Sequence, residues 1–485
     1  MPDQRQHPVR RLVLVVLLAL AVPAVAGAAP ALAQPLHCGD TVTQDTTLTA
    51  DLLDCPGDGL IIGGPGITVD LGGHTVAAPD TLTGDPAGVG IDNSAGHDGV
   101  TIRNGTVNYF RGGGVHLVRV DNSQVLDLEM FLPGEFGVLL ETGSRNRFAS
   151  NTVNAAPVGL GIYGSAVASR GNVIEGNAAA GAQGANIALR FGRIADTLIQ
   201  DNDAIEGDST QEGWGASITV SERGSTDANI SGTVVRGNRL DFTFGGGIFV
   251  GPGAPGTLVE RNHLDDMFGL PAIENEADRT VIRRNATTSE SFPGSTSTGI
   301  QVDEAAADTR VEANTIDRAG GISIEDRGTR TLLTANVMVG QIFPSELTTG
   351  HIAGIIVREE ASGGRIQANV VRRHSPGFAP DVGAGIDIFG DRFTVAANVV
   401  SEIDPRDGIR VEPAATGTLL KGNITTRNGD DGIDVDSPAT TVTANVANGN
   451  TDLGIEAVTG VTDGGGNRAR GNGNPAQCTG VRCSP

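Results

Sequence analysis

Aromatic side chains are scarce in this chain, with one tryptophan (Trp214), two tyrosines (Tyr109 and Tyr163) and 14 phenylalanines among 485 residues. That scarcity disfavours a platform that holds neutral sugars by stacking pyranose rings on several Trp and Tyr side chains. Lysine is nearly missing, since Lys421 is the only one. Its absence removes lysine as a general base from almost any mechanism. With a formal net charge of −23, it also argues against nucleic acid as a partner, because phosphate contacts need Lys and Arg. Beyond the N-terminal segment no apolar run is long enough to cross a bilayer. Nor is there a sustained 3.6-residue periodicity that would specify α-helices. Cysteine is confined to the two ends, as Cys38, Cys55, Cys478 and Cys483.

What is present begins with "RRLVLVVLLALAVPAVAGAAPALAQ". Arg10 and Arg11 precede an apolar run too short to span a membrane comfortably, and small residues follow, ending Ala31-Leu32-Ala33. Residues 1–33 read as a signal peptide cleaved before Gln34, so the mature protein is expected to be secreted, monomeric and without a membrane span. Removing Asp3, Arg5, Arg10 and Arg11 moves the formal charge from −23 to about −25. In an oxidising compartment the four cysteines read as two local disulfides, Cys38–Cys55 and Cys478–Cys483, each clamping one terminus. A shared four-cysteine metal cluster would require the chain ends to meet.

Between the ends the chain repeats. The pattern apolar-x-x-Asn-apolar recurs as "VTIRNGTV", "VIEGNAA", "VVRGNRL", "VIRRNAT", "RIQANVV", "TVAANVV" and "TVTANVA", among others. It places Asn104, Asn151, Asn177, Asn202, Asn238, Asn262, Asn285, Asn314, Asn336, Asn369, Asn398, Asn423 and Asn445 at equivalent points, with Asp127 filling the first gap. A second mark, Gly or Ala before a short β-branched alternation, falls between them as "GIFV", "GIQV", "GISI", "GIIV", "GIDI", "GIRV" and "GIDV". The spacing, mostly about 22 to 25 residues, is a repeat signature. Short period-2 segments rich in Val, Ile and Thr are strands, and Gly, with 70 copies, breaks them at corners. One such coil cannot bury its apolar side alone, but stacked coils can. A corner Asn is expected to adopt a left-handed backbone and to hydrogen-bond the next Asn along the stack. The prediction is an all-β solenoid of about 15 coils, roughly 70 Å long. An N-terminal cap would occupy 34–59, the helix 60–472 and a disulfide-bonded tail 473–485.

On these motifs the sequence resembles the right-handed parallel β-helix proteins of the pectin-lyase-like superfamily, over nearly all of the mature chain. The resemblance implies polysaccharide lyases, uronate epimerases or glycoside hydrolases, and equally non-catalytic adhesive or spacer rods; the fold alone does not choose among them. In "NGDDGIDV", Ile433 and Val435 are expected inward and Asp434 and Asp436 outward. Asp407 with Asp430-Asp431 is similar to the Asp and Asp-Asp pair that polygalacturonase-type hydrolases carry on successive coils. The histidine those enzymes carry one coil further on has no counterpart, because no histidine follows His374. Acids before Gly-Ile recur at Asp407, Asp431 and Asp452, which favours a solvated corner over chemistry.

Departures from the repeat are where function can be grafted. Four coils carry extra residues at the same point: "EGDSTQEGWG", "SESFPGSTST", "QIFPSELTTGHIA" and "RRHSPGFAPDVGA". They are expected to flank a groove, with Trp214 on its rim. Beside them, three and four positions after each corner Asn, runs a charged column of Asp241, Asp265 with Asp266, Asp317 with Arg318, and Arg372 with Arg373, followed by His374. A lyase or epimerase acting on an acidic polysaccharide needs a cation for the uronate carboxylate, a base and an acid. Asp265 and Asp266 are the candidate calcium ligands, and otherwise no cofactor is expected. Arg318, Arg372 and Arg373 are the candidate partners of the substrate carboxylate, His374 the candidate base, and Trp214, Asp241 and Asp317 further substrate contacts. An exposed charge ladder that only keeps the rod soluble is the competing reading.

Overall fold

The computed structural model describes residues 35–80, 88–205, 216–225, 227–243, 245–267, 269–288, 298–317, 321–340, 353–374 and 383–485. The expected leader therefore lies outside the described residues, as do Trp214, Arg318 and most of the four inserts. The groove expected between those inserts falls there with them.

The described chain is a right-handed solenoid of parallel strands. From Gly246 onward every Gly-Ile segment enters one 17-stranded sheet, which runs from Asp40–Val42 to Ile455–Ala457. The register is strict: Ile386 stands beside Ile409, Ile409 beside Ile433, and Ile433 beside Ile455. The segments around each Asn form two more ladders, as in Val395–Leu420–Val442 and Val400–Thr425–Ala447. Three-residue strands place their central or flanking apolar residues inward by the period-2 rule. Ile433, Val435, Leu420, Val442 and Ala447 are all fully buried. Parallel stacking thus turns a short apolar motif into continuous columns of Ile, Val and Leu, which no single coil could bury. At the ends, Cys38 is bonded to Cys55 and Cys478 to Cys483.

The Asn ladder runs unbroken from Asn151 to Asn467. At each step the backbone N–H and the Nδ2 of one Asn both donate to the Oδ1 of the next. For Asn369 and Asn398 these distances are 2.9 and 3.0 Å. Nδ2 also donates back to a carbonyl of the preceding coil, as from Asn369 to Leu333 O at 2.9 Å. The amide alone offers a double donor and an acceptor in this geometry, so a buried corner is satisfied without water.

Two expectations about the corner are corrected. The left-handed residue is the one before the ladder Asn, as at Ala368 (φ 56°), Ala397 (φ 54°) and Ala444 (φ 55°). The Asn itself is needed for its amide, not for a tolerant backbone. Asn104 (φ 61°) and Asp127 (φ 52°) occupy that left-handed position and so are displaced by one residue from the ladder. The ladder register in their coils falls on Gly105 and Leu128, and the Leu128 N–H donates to Asn151 Oδ1.

Replacing Asn369 by Leu is expected to cost about 1–3 kcal/mol, because buried donors and acceptors on both neighbouring coils lose their partners. Gln367→Leu, at an exposed strand position of the same coil, is expected to change stability by less than about 0.5 kcal/mol. Urea denaturation of the two variants checks this, and equal losses would mean that the ladder does not carry the corner.

Candidate acidic site on the Gly-Ile sheet

The outward residue of each Gly-Ile strand lies between two inward ones, and near the C-terminal end these outward positions are charged. Asp387, Arg410, Asp434 and Glu456 follow one another in register on consecutive strands. The corner leading into the strands adds Asp407 on one coil and Asp430-Asp431 on the next. Gly408 permits this stacking, since a Cβ there would meet Gly432 O and Asn428 Nδ2, each at 2.6 Å. Oδ1 of Asp407 accepts the Asp431 N–H at 2.9 Å, and Oδ1 of Asp431 accepts the Leu453 N–H at 2.6 Å. Each acid therefore caps the corner of the next coil.

The result is a cluster centred on Asp431. One carboxylate oxygen from each of Asp407, Asp430 and Asp431 lies within 4.8 Å of the others, and the same holds for Asp431, Asp434 and Glu456. Asp407 is 8% exposed and Asp431 4%, while Asp430 and Glu456 reach solvent. Burial, with the neighbouring acids adding to it, pushes Asp407 up to about 6 and Asp434 up to about 7. Burial and then the contact with Glu456 raise Asp431 well above the carboxylate range. Asp387, 1% exposed and with Oδ1 unpartnered, is pushed up to about 7 by burial. Arg410 offsets part of this charge through Glu412 at 3.2 Å, Asp436 at 3.1 Å and Asp434 at 3.7 Å. The expectation that these acids are the wet side of a corner is thus corrected: stacking buries Asp407 and Asp431 while keeping their carboxyls together.

The charged column after the ladder Asn residues lies on a different sheet. Asp241 is in register with Asp265, but Thr288 separates Asp265 from Asp317, and Val339 separates Asp317 from Arg372. Asp265 pairs with His263 at 2.8 Å and Asp241 with Arg239 at 3.2 Å. Neither Asp265 nor Asp266 belongs to a group of three acids or histidines close enough to hold an ion among the described residues. Such groups are the two around Asp431 and a third of Glu274, Glu276 and Asp303. The solvent-exposed Arg373 pairs with Glu402 at 3.2 Å, and Glu402 also receives Arg427 at 2.7 Å. His374 is 3% exposed with Nε2 unpartnered, and burial lowers it to about 4, so its imidazole is neutral and enclosed. A groove-facing base was expected there.

A family model described as the right handed beta helix region matches residues 59–188. No curated protein sequence matches the chain. Among solved structures, the chain is similar to DFA-IIIase from Arthrobacter chlorophenolicus A6, at 15% identity and a TM-score of 0.42, covering 68% of this chain and 83% of that one. It is also similar to the periplasmic alginate epimerase AlgG, at 11% identity and a TM-score of 0.40 with 75% of each chain covered. For an alginate lyase from Paenibacillus sp. str. FPU-7 the values are 15% and 0.37, covering 62% of this chain and 94% of that one. At this level of similarity no residue role passes from those proteins to this one.

The raised acids have a thermodynamic consequence. A carboxyl whose folded pKa exceeds its unfolded value binds more protons in the native state, so stability falls as pH rises from the unfolded value toward the folded one. Glu276, Asp326, Asp387 and Asp434 at about 7 and Asp407 at about 6 all act in this direction. Carboxylates lowered by hydrogen bonds, such as Asp70 and Asp391, act oppositely, and their contribution is lost only as pH falls below about 4. The melting temperature is therefore expected to decline between about pH 5 and pH 8, and Asp387→Asn to flatten that decline. Thermal scans across this range check it; a rising curve would refute the burial of these acids.

Proposed function

We propose that this chain is an exported carbohydrate-active β-helix that hydrolyses glycosidic bonds at the Asp431 cluster. The two local disulfides and the leader-like N-terminus support export. One observation carries the chemistry: four other carboxyls, Asp430 and Asp434 of its own coil and Asp407 and Glu456 of the two neighbouring ones, converge on Asp431, in an environment that separates the proton affinities of Asp407 and Asp431. Glycoside hydrolysis needs a carboxyl that stays protonated to assist the leaving oxygen and a carboxylate that stays ionised beside it. Asp431, raised by burial and by its contact with the surface Glu456, serves as the acid. Asp407 ionises at lower pH and serves as the base or nucleophile.

A second reading is favoured by the same oxygens. Carboxylates within 4.8 Å of one another suit a hard cation such as calcium, which would neutralise the uronate carboxylate of an acidic polysaccharide for lyase or epimerase chemistry. Arg410 is poorly placed to meet such a carboxylate directly, because it is already held by Glu412, Asp434 and Asp436.

The test is to incubate the mature protein with neutral and acidic polysaccharides, with and without calcium, and follow both reducing ends and ultraviolet absorbance. New reducing ends without absorbance from a double bond mark hydrolysis, whereas calcium-dependent absorbance marks the lyase. Asp431→Asn is expected to lower turnover by about 10²-fold or more. The rate is expected to rise with pH through about 6 as Asp407 ionises and to fall again once Asp431 loses its proton. Loss of turnover in Asp265→Asn or Arg372→Ala, with Asp431→Asn unimpaired, would move the site to the other sheet. No turnover on any substrate would leave a non-catalytic rod.

A further inference from the structure

At the opposite end of the same sheet the outward row changes character. It reads Asp92, His116, Leu139, Gly161 and Ala188 on consecutive strands. Here apolar side chains form a cluster outside the solenoid core: Phe136, Leu139, Val158, Ala185 and Ala188, with Tyr163 packed against them. A groove of ≈ 540 Å³ lies over this cluster, walled by His116, Glu135, Glu141, Pro157 and Tyr163. That is within the size range of small-ligand clefts.

Two glycines shape it. A Cβ on Gly113 would lie 2.2 Å from the Phe136 ring, so this ring closes down on bare backbone. A Cβ on Gly161 would crowd Leu139 Cδ1 at 3.1 Å and Tyr163 Cε1 at 3.3 Å, so both lean over the strand. The walls are braced from behind. Tyr163 meets Phe191 edge-on at 5.5 Å, and the Arg190 guanidinium, which pairs with Glu222, stands 4.8 Å from the Phe191 ring centroid. His116 is fixed by Glu141 at 3.0 Å and Asp92 at 3.7 Å, with its ring 5.4 Å from that of Phe136.

We infer that this groove is a binding site for a neutral saccharide, separate from the Asp431 cluster. A pyranose offers an apolar C–H face that suits the floor and the half-buried Tyr163. Its adjacent hydroxyls can donate two hydrogen bonds to one carboxylate, a role open to the exposed Glu135 and Glu141. Charge selects against the alternatives. Glu135 and Glu141 line the groove, and its imidazole is committed to Glu141 and to Asp92, so a uronate or phosphate would meet repulsion. The chain has few aromatic residues, yet the fold places Phe136, Tyr163 and Phe191 on successive coils at this one face. The inference extends the carbohydrate reading but does not depend on hydrolysis.

The test is native affinity electrophoresis of the mature protein in gels containing hydroxyethylcellulose, laminarin, xylan or dextran, with polygalacturonate as the acidic comparator. At least one neutral polymer is expected to retard the protein, and Tyr163→Ala and Glu141→Ala each to weaken the apparent affinity about tenfold. Glu141 is exposed, so its variant decides the matter should Tyr163→Ala fail to fold. Asp431→Asn is expected to be retarded like the parent, and retardation without turnover would uphold the groove while removing the hydrolytic reading. The inference is overturned if no neutral polymer retards the protein, if only polygalacturonate does, or if both groove variants bind as the parent does. Loss of retardation in Asp431→Asn would place the binding at the acidic cluster and overturn it too.

Discussion

The structure depends on the hydrogen bond that passes from one Asn side-chain amide to the next, coil to coil, at the corner. Parallel coils must turn at the same place, and each turn leaves backbone groups that the apolar interior cannot satisfy. From Asn151 to Asn467 the ladder Asn of each coil satisfies them: its backbone N–H and its Nδ2 both donate to the next Asn, and Nδ2 also donates to the preceding coil. Because the bond joins equivalent positions, it fixes the register of both flanking ladders and of the Gly-Ile sheet beyond. Inserted residues are tolerated between the Asn strands and that sheet because they leave this register intact, as the pairing of Ile324 with Ile355 and of Ile355 with Ile386 shows.

A fixed register converts sequence repetition into chemical neighbourhoods. Outward positions on the Gly-Ile sheet are one strand spacing apart, so similar residues on successive coils become contacts. Toward the C-terminus this produces opposed effects. Acids that cap successive corners are stabilised by backbone N–H groups, yet they are crowded and desolvated. Their proton affinity rises because burial, with Coulomb repulsion added to it, outweighs the hydrogen bonds and Arg410. Such a cost in folding is tolerable in a long solenoid, where stability is spread over many interfaces. Toward the N-terminus the same outward row carries Leu139, Gly161 and Ala188, and an external apolar cluster replaces the charge.

Much of this was legible in the chain. The alternation of Ile and Val about each Gly predicted inward Ile433 and Val435 and outward Asp434, and the structure places them so. The terminal cysteine pairs followed from proximity in sequence. The ladder is legible as a spacing, but at Asn104 and Asp127 the motif lies one residue before the ladder position. An apolar-x-x-Asn match does not reveal whether the Asn or the residue before it takes the left-handed turn. The site was harder to read. Asp407 and Asp431 were visible as repeated acids, but repetition fits a solvated face and a stacked cluster equally well. The column from Asp241 to Arg372 is interrupted by two coils that carry Thr288 and Val339 at that register, and a pattern of charges alone does not count the uncharged coils between them.

The sequence by itself determined the period of the coil, the identity of its apolar columns, its corner amides and its terminal disulfides, because each is a local pattern repeated at fixed spacing. Only the tertiary structure decided which charges touch. Burial and proton affinity depend on the coils above and below, so Asp431 acquires its character from Asp407, Asp434 and Glu456, and His374 becomes neutral through enclosure. The gathering of Phe136, Tyr163 and Phe191 has the same origin, since residues far apart in sequence become neighbours only once the stack sets their register.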